Sequence, residues 1–421
     1  MFDLIIKKIT SSKLINKSLW HLLGTLISKA AVFITSILAV RLLGPENFGR
    51  IGIIQQTTAM LITFSVMGLS QTAILFVGNS SNKSLSDQIF VSKKIFRIGL
   101  LTSLIMFALY LVLVDFIAYE VFGDGELKSL LQLCSLVLVG STLNQVQFGV
   151  MSGLGLFNKM ALTNISTGLL SVPLTYYLMV EQGIQGFVLA LIINCWITFI
   201  LNRFFINKNF RPLKVLGTKF INEPSYYSIM KYASSNVIGA ILFTGSTWFA
   251  LSVLSRRGGL EEVGVFNASM QIFSILYLLP SILSQVLMSV TAQSGINSNS
   301  LRKIILTIFM LVSFSSFLLS YFNTEILSIY SKDFIKYSLA LTWILATVPV
   351  ASIVNILDHY SNGLGLVKVR IVSHLTFALF YSVLALINVN NPIDLALALF
   401  FAYLARFLIL YCFLSIRLRL I

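Results

Sequence analysis

Charged residues are scarce in this chain of 421 residues, at 11% of the total, against roughly 25% in ordinary soluble domains. Hydrophobic residues make up 57%, and the mean hydropathy is +0.89. Apolar runs of about 18 residues or more recur from end to end, as they do in membrane-spanning helices. The composition excludes a soluble globular protein and predicts an all-α, multi-pass membrane protein.

Cysteine is also rare, and the three that occur, Cys134, Cys195 and Cys412, each lie inside an apolar run. An odd number of cysteines at these spacings gives no disulfide framework and no metal motif. The stretches between apolar runs are too short for an extramembrane domain. We therefore expect no cofactor, no metal and no enzymatic activity.

Acidic residues are half as common as basic ones, 15 against 30, which gives a net charge of +15. A nucleic-acid partner could explain this charge, but Lys and Arg also concentrate in the cytoplasmic loops of membrane proteins. With the N-terminus inside, 21 basic residues fall in cytoplasmic segments and 7 in outer loops, whereas 11 acidic residues lie outside. The asymmetry predicts cytoplasmic termini and no nucleic-acid partner. The N-terminal segment lacks a signal-peptide pattern, so we expect it to stay in the cytoplasm.

The hydropathy pattern predicts twelve spans joined by short connections. Their approximate ranges are 18–40, 51–77, 96–117, 129–151, 160–180, 184–205, 228–254, 265–289, 303–322, 338–357, 370–388 and 394–416.

Two short patterns repeat along the chain. LLGPENFGRIGIIQQ (42–56) and RGGLEEVGVFNASMQ (257–271) share Gly, Glu, Gly and Gln at a displacement of 215 residues. SGLGLFNK (152–159) and NGLGLVKV (362–369) share GLGL at a displacement of 210. The repeats predict two parallel six-helix bundles around a central cavity, the architecture of a transporter. The expected bundles are 1–206 and 227–421, joined by a basic cytoplasmic linker at 207–226.

A lysine lies in the middle of the first apolar run, LWHLLGTLISKAAVFITSILAV (19–40). Lys29 falls on a polar stripe with Thr25 and Ser36, at helical spacing, opposite an apolar face. A lysine at the bilayer centre costs about 2.5–3.5 kcal/mol on insertion scales. It is too far from either end of the run to reach water along its own stem. Two interpretations remain, a cavity-lining cation that binds substrate and a structural ion pair.

Other polar residues could line the same space as Lys29, or could only bond neighbouring helices or cap helix ends. The candidate substrate-binding set is Lys29, Thr25, Ser36, Arg50, Gln56, Asn236, Gln271 and Arg406. Asp358 and His359 form a candidate site for proton or ion coupling, because histidine titrates near neutral pH. The alternative for this pair is a satisfied polar helix end.

The segment AVRLLGPENFGRIGI (39–53) resembles the hairpin between the first two spans of bacterial polysaccharide flippases, and GLGLFNK (153–159) resembles the loop after their fourth span. These proteins belong to the multidrug, oligosaccharidyl-lipid and polysaccharide exporter superfamily. The predicted length, spans and termini resemble the O-antigen flippases over the whole chain.

The resemblance implies a multidrug-exporter-like fold and a flippase of the bacterial inner membrane. Its substrate would be an undecaprenyl-pyrophosphate-linked glycan, the O-antigen repeat unit used in lipopolysaccharide biosynthesis, moved to the periplasmic leaflet by alternating access. Membrane lipid is a further partner, and a polysaccharide polymerase and a chain-length regulator are candidate protein partners. The cationic cavity of such flippases fits Lys29 and Arg50 in this sequence.

Three other functions compete with this one. A cation-coupled multidrug exporter of the same superfamily would need acidic residues in its cavity, and the sequence offers a lysine there. A membrane polymerase or glycosyltransferase would need a sizeable outer loop with catalytic groups, but the outer loops are short. A membrane protein with only a structural role would need neither the internal repeat nor the polar stripe around Lys29.

Overall fold

The computed structural model describes residues 12–79, 85–210, 225–235, 237–294 and 298–418, and within these ranges it contains helices and no strand. Two of the helical segments are not α-helices: Phe116–Phe122 is π-helical, and Lys332–Tyr337 is a 3-10 helix. The α-helices are α1 Ser12–Leu43, α2 Pro45–Val66, α3 Leu69–Asn79, α4 Leu85–Asp115, α5 Leu127–Gly153, α6 Phe157–Phe210, α7 Tyr226–Ser235, α8 Val237–Arg257, α9 Leu260–Leu276, α10 Leu278–Ser294, α11 Ser298–Tyr321, α12 Asn323–Tyr330, α13 Ser338–Gly363, α14 Val367–Asn388 and α15 Pro392–Leu418.

The helices are long and apolar enough for a multi-pass membrane protein. Among the described residues, nine helices could cross a membrane, and two pairs bent by 43° and 48°, α2 with α3 and α9 with α10, raise the number to eleven. The 54-residue α6 contains two helices, because Gly183 has non-helical angles (φ 59°, ψ −136°). A Cβ on Gly186 would lie 1.9 Å from the Leu178 carbonyl oxygen, so the chain folds back there. Dividing α6 at this turn gives the twelve predicted spans.

The repeated GLGL sequences form the same turn in both halves. Leu154, Gly155 and Leu156 donate backbone hydrogen bonds to the carbonyls of Val150, Ser152 and Met151. Leu364, Gly365 and Leu366 donate to those of Tyr360, Asn362 and Ser361, each displaced by 210 residues. Gly155 and Gly365 have φ of 69° and 72°, the left-handed region that glycine tolerates. The internal repeat is therefore present in the local backbone structure.

The chain divides into two compact units, unit 1 (Met1–Leu42 and Ile54–Ile238) and unit 2 (Leu43–Ile53 and Gly239–Ile421). The predicted division placed all of 1–206 in the first bundle, whereas Leu43–Ile53 groups with unit 2. Close packing that only glycine permits accompanies this grouping, because a Cβ on Gly49 would lie 1.9 Å from the Leu260 carbonyl oxygen. The repeat produces the equivalent contact, in which a Cβ on Gly264 would lie 2.9 Å from the Pro45 carbonyl oxygen. Gly264 is Gly49 displaced by 215 residues, and Leu260 is displaced from Pro45 by the same number.

One helix lies at the centre of each unit. In unit 1, α5 packs against α3, α4 and α6, and in unit 2, α13 packs against α9, α10, α11 and α15. Their spans are the most buried of the candidate spans, each at 61%. These two helices correspond to the fourth spans of the two repeats. Asp358 and His359 lie on α13, so the predicted coupling pair is at the centre of unit 2.

Candidate functional site

Lys29 lies in the candidate span Leu22–Leu43 on α1, and its side chain is partly buried. The helix packs closely on the first part of α6, because a Cβ on Gly168 would lie 3.1 Å from the Ser28 Cα. A Cβ on Gly24 would lie 2.8 Å from the Ala161 Cα. Among the described residues, Lys29 has neither an ion-pair nor a hydrogen-bond partner. The ion pair proposed as the alternative role of Lys29 is not formed within this part of the chain.

The other candidates of unit 1 occupy similar half-buried or buried positions. Thr25 and Gln56 are partly buried, and Ser36 is buried with 3% of its surface exposed. The Ser36 hydroxyl donates to the Val32 carbonyl oxygen at 2.8 Å, a bond within its own helix. The polar stripe predicted on α1 is thus a helical face with Lys29 as its one charged member.

Unit 2 contains a buried charged cluster that joins three helices. Asp358 on α13 accepts from Arg370 on α14, with Oδ2 3.5 Å from Nη2. Its other oxygen, Oδ1, lies 3.3 Å from Nη2 of Arg406 on α15. The exposed fractions of the side chains of Asp358, Arg370 and Arg406 are 10%, 18% and 7%. The structure therefore brings together two predicted candidates, Asp358 and Arg406, and adds Arg370.

A histidine completes this cluster. Nδ1 of His374 lies 2.9 Å from the Arg370 carbonyl oxygen, which can only accept, and 3.8 Å from the Asp358 Oδ1. Nη2 of Arg406, which can only donate, lies 3.0 Å from Nε2 and 3.3 Å from Nδ1. A guanidinium donor this close to both ring nitrogens favours the neutral imidazole. Gly239 on α8 gives it room, because a Cβ there would lie 3.2 Å from three ring atoms.

The remaining candidates lie elsewhere. His359 follows Asp358 in sequence but forms no ion pair among the described residues, and its Nδ1 is buried without a hydrogen-bond partner there. Nη1 of Arg50 donates to the Asn47 Oδ1 at 2.8 Å. Gln271 accepts from the Tyr330 hydroxyl at 3.1 Å. Asn236 lies outside the described residues.

Sequence reasoning missed Arg370 and His374. A signal for both exists in the sequence, since they are four residues apart and therefore share a face of α14. They also follow closely on the turn at Gly365, which reverses the chain after Asp358. The reversal places the start of α14 beside the end of α13, where Asp358 lies.

The polysaccharide biosynthesis protein family model matches residues 14–294, about two thirds of the chain. The chain belongs to this family. The matched residues include Lys29 and end before the charged cluster of unit 2. A comparison with curated proteins found no match.

Several solved structures share the fold of this family member. The lipid II flippase MurJ, in an inward closed conformation, has a TM-score of 0.74 at 16% identity, covering 95% of this chain and 87% of its own. An inward-facing multidrug resistance MATE family transporter of the MOP superfamily has a TM-score of 0.72 at 13% identity, with coverage of 94% and 98%. A MOP superfamily transporter from Pyrococcus furiosus has a TM-score of 0.72 at 15% identity, with coverage of 96% and 94%.

These similarities confirm the predicted fold class. The family member is an all-α multi-pass membrane protein with a MATE-like fold. The solved structures named here belong to a flippase and to transporters.

Proposed function

We propose that this protein is a flippase for a polyprenyl-pyrophosphate-linked oligosaccharide, such as an O-antigen repeat unit on undecaprenyl pyrophosphate. It moves the glycan from the cytoplasmic to the periplasmic leaflet by alternating access. One observation carries the proposal, the balance of charge within the spans. Lys29 has no partner among the described residues, whereas Asp358, the only buried carboxylate among them, is already paired with two arginines.

This charge balance suits an anionic substrate. Burying an isolated ion in a medium of low dielectric costs on the order of tens of kcal/mol, so a pyrophosphate needs a partner to cross the membrane. A lysine about 4 Å from a phosphate oxygen contributes roughly 4 kcal/mol at an effective dielectric of 20. Lys29 supplies the charge for this contact.

The neutral candidates take a second role in this proposal. Amide and hydroxyl groups such as those of Gln56, Gln271 and Thr25 bond sugar hydroxyls. Asn236 and Ser36 remain candidates for the same role, and Arg50 for a second contact to the anion. The lipid tail stays in the bilayer.

The competing function, a cation-coupled multidrug exporter, fits the charges less well. A cationic drug requires an available carboxylate, and within the described residues the one buried carboxylate accepts from arginine. The family match to polysaccharide biosynthesis proteins also favours a glycan.

The cellular setting is part of the proposal. The excess of Lys and Arg on one side of the predicted spans supports cytoplasmic termini in a bacterial inner membrane. A polysaccharide polymerase, which uses the flipped product, and a chain-length regulator are the proposed protein partners.

The decisive experiment measures translocation in proteoliposomes that contain a polyprenyl-pyrophosphate oligosaccharide. A membrane-impermeant glycosidase reports which glycans have reached the far leaflet. We expect the wild type to translocate the glycan, Lys29→Ala to lose at least 90% of the rate, and Lys29→Arg to retain part of it, because the charge is kept.

Lys128→Ala is the matched control. Lys128 is a surface lysine that pairs with Asp115 at 2.9 Å, so its removal should leave transport unchanged. Equal transport in wild type and Lys29→Ala would refute the role of Lys29. Absence of transport by folded wild-type protein, together with uptake of a cationic dye, would favour the drug exporter.

A further inference from the structure

We infer that the charged cluster of unit 2, formed by Asp358, Arg370, His374 and Arg406, is an anion-binding site. Its ligand is one small anion of the halide or phosphate class, held by the two guanidinium groups. All four residues belong to unit 2, and the inference does not depend on the lipid-linked substrate.

The cluster has more positive than negative charge. Arg370 and Arg406 keep their positive charges in proteins, Asp358 supplies one negative charge, and the guanidinium beside both ring nitrogens of His374 favours the neutral imidazole. The cluster therefore has one positive charge in excess. An uncompensated charge at membrane depth is costly, and such groups normally line a functional site or a watered cavity.

Among the described residues of unit 2, no other carboxylate supplies the missing negative charge, because Asp358 is the only buried one there. Glu261 pairs with Lys336 at 2.7 Å, and Glu262 accepts from the Tyr337 hydroxyl at 2.9 Å. Asp394 accepts from the backbone N–H of Asn390 at 3.1 Å. Of the others, Glu46 is at the start of α2, Glu325 is in the first turn of α12, and Asp333 is in the 3-10 helix.

The cluster also has more unused donors than unused acceptors. Nε of Arg370, Nε of Arg406 and Oδ1 of Asp358 are buried and have no hydrogen-bond partner among the described residues. The side chain of Arg406 is only 7% exposed, so bulk water does not satisfy it. A buried donor without an acceptor loses its hydration without compensation, and a charged donor loses most. An anion supplies both the acceptor and the missing charge.

The cluster also has an edge from which an ion can enter. Arg370 lies in the first turn of α14, next to the exposed turn at Gly365, and 18% of its side chain is accessible. The positive end of the helix dipole of α14 adds to the attraction for an anion at this edge. Arg370 thus forms the entrance, and Arg406 the buried end of the site.

A purely structural ion network is the competing explanation, and the response of the wild type separates the two. In a structural network, Asp358 already satisfies the guanidinium groups, so an added anion stabilises the protein only after Asp358→Asn has removed the carboxylate. In an anion site, the wild type is itself stabilised, and Asp358→Asn enlarges the response because a competitor of the ligand is removed. The two explanations therefore predict different responses of the wild type to anions.

The test measures the melting temperature of the purified full-length protein in detergent at fixed pH, sodium concentration and ionic strength. Gluconate is replaced stepwise by chloride, inorganic phosphate or inorganic pyrophosphate. We expect a saturable rise of about 2 °C or more with at least one of these anions. Arg370→Gln and Arg406→Gln should lose the rise, and Asp358→Asn should enlarge it.

Lys336→Gln, which removes an exposed cation of unit 2, is the control and should respond as the wild type does. Arg370→Gln tests the site if Arg406→Gln does not fold, because Arg370 is the more exposed of the two. The inference is overturned if the wild type shows no anion-specific rise, if both arginine variants keep it, or if Asp358→Asn loses it. An outcome of this kind leaves the flippase proposal untouched, because no lipid-linked substrate is used.

Discussion

Lys29 in unit 1 and Arg406 in unit 2 are both basic residues inside predicted spans, yet their surroundings differ. Arg406 is buried and lies 3.3 Å from Asp358 and 3.0 Å from His374. Lys29 is partly buried and has no partner among the described residues. A basic residue within a span therefore does not define its own role, because the available counter-charge decides whether the cation joins helices or remains available for a ligand.

The difference also separates stability from transport. Removing a buried arginine breaks contacts that join helices, whereas removing an unpaired lysine breaks none. We expect changes in the charged cluster of unit 2 to act mainly on folding, and changes at Lys29 mainly on translocation.

The largest effect is expected from Arg406→Gln, which removes the buried contacts of Arg406 to Asp358 and His374. It should lower the free energy of unfolding by about 2–3 kcal/mol, because hydrogen bonds to charged groups are the stronger ones. Lys29→Gln is the matched variant and should change it by less than about 1 kcal/mol, since no partner is lost. Unfolding in detergent, followed by intrinsic fluorescence, measures both. Equal losses of unfolding free energy in the two variants would contradict the difference drawn between Arg406 and Lys29.

A partner can also be given to Lys29. Thr25→Asp places a carboxylate one helical turn before it, at the spacing where opposite charges attract. The pair would resemble the Asp358–Arg406 pair, and translocation should fall about tenfold or more, because a loss of about 1.4 kcal/mol in substrate binding is tenfold in affinity. The proteoliposome assay measures the effect.

Thr25→Asn is the control for this substitution, because it has nearly the same shape and no charge. It should retain most of the transport. If Thr25→Asp transports as well as Thr25→Asn, the charge of Lys29 is not what the substrate needs.

The smallest effect is expected from Arg370→Gln. Its ion pair is longer, at 3.5 Å, and its side chain is more exposed than that of Arg406. Because Asp358 keeps Arg406 as a partner, the loss of unfolding free energy should be about 1 kcal/mol. Lys368→Gln, at an exposed position on the same turn, should cost nothing measurable. If Arg370→Gln lost as much unfolding free energy as Arg406→Gln, burial would not determine how much each contact contributes to stability.

Much of the fold could be predicted from sequence because its signals are local. Apolar runs gave the twelve spans, and the displaced GLGL pattern gave two turns with the same hydrogen bonds. The grouping of Leu43–Ile53 with unit 2 could not be predicted in this way. It follows from the close approach of Gly49 to Leu260, residues far apart in the chain.

The candidate site was predictable only in part. The sequence identified Lys29, Asp358 and Arg406 because a charge stands out in an apolar run. It gave no reason to join Asp358 with Arg406, and it passed over Arg370 and His374, which looked like residues at the start of a span.

The membrane class, the helices and the internal repeat follow from the amino-acid sequence, because hydropathy and helical spacing depend on neighbours along the chain. The sequence also shows which few charged groups enter the spans. Which of these groups are compensated depends on helix packing, because an ion pair requires atoms from α13, α14 and α15 within about 4 Å of one another. The packing of helices sets that distance, and it leaves Lys29 without such a partner among the described residues.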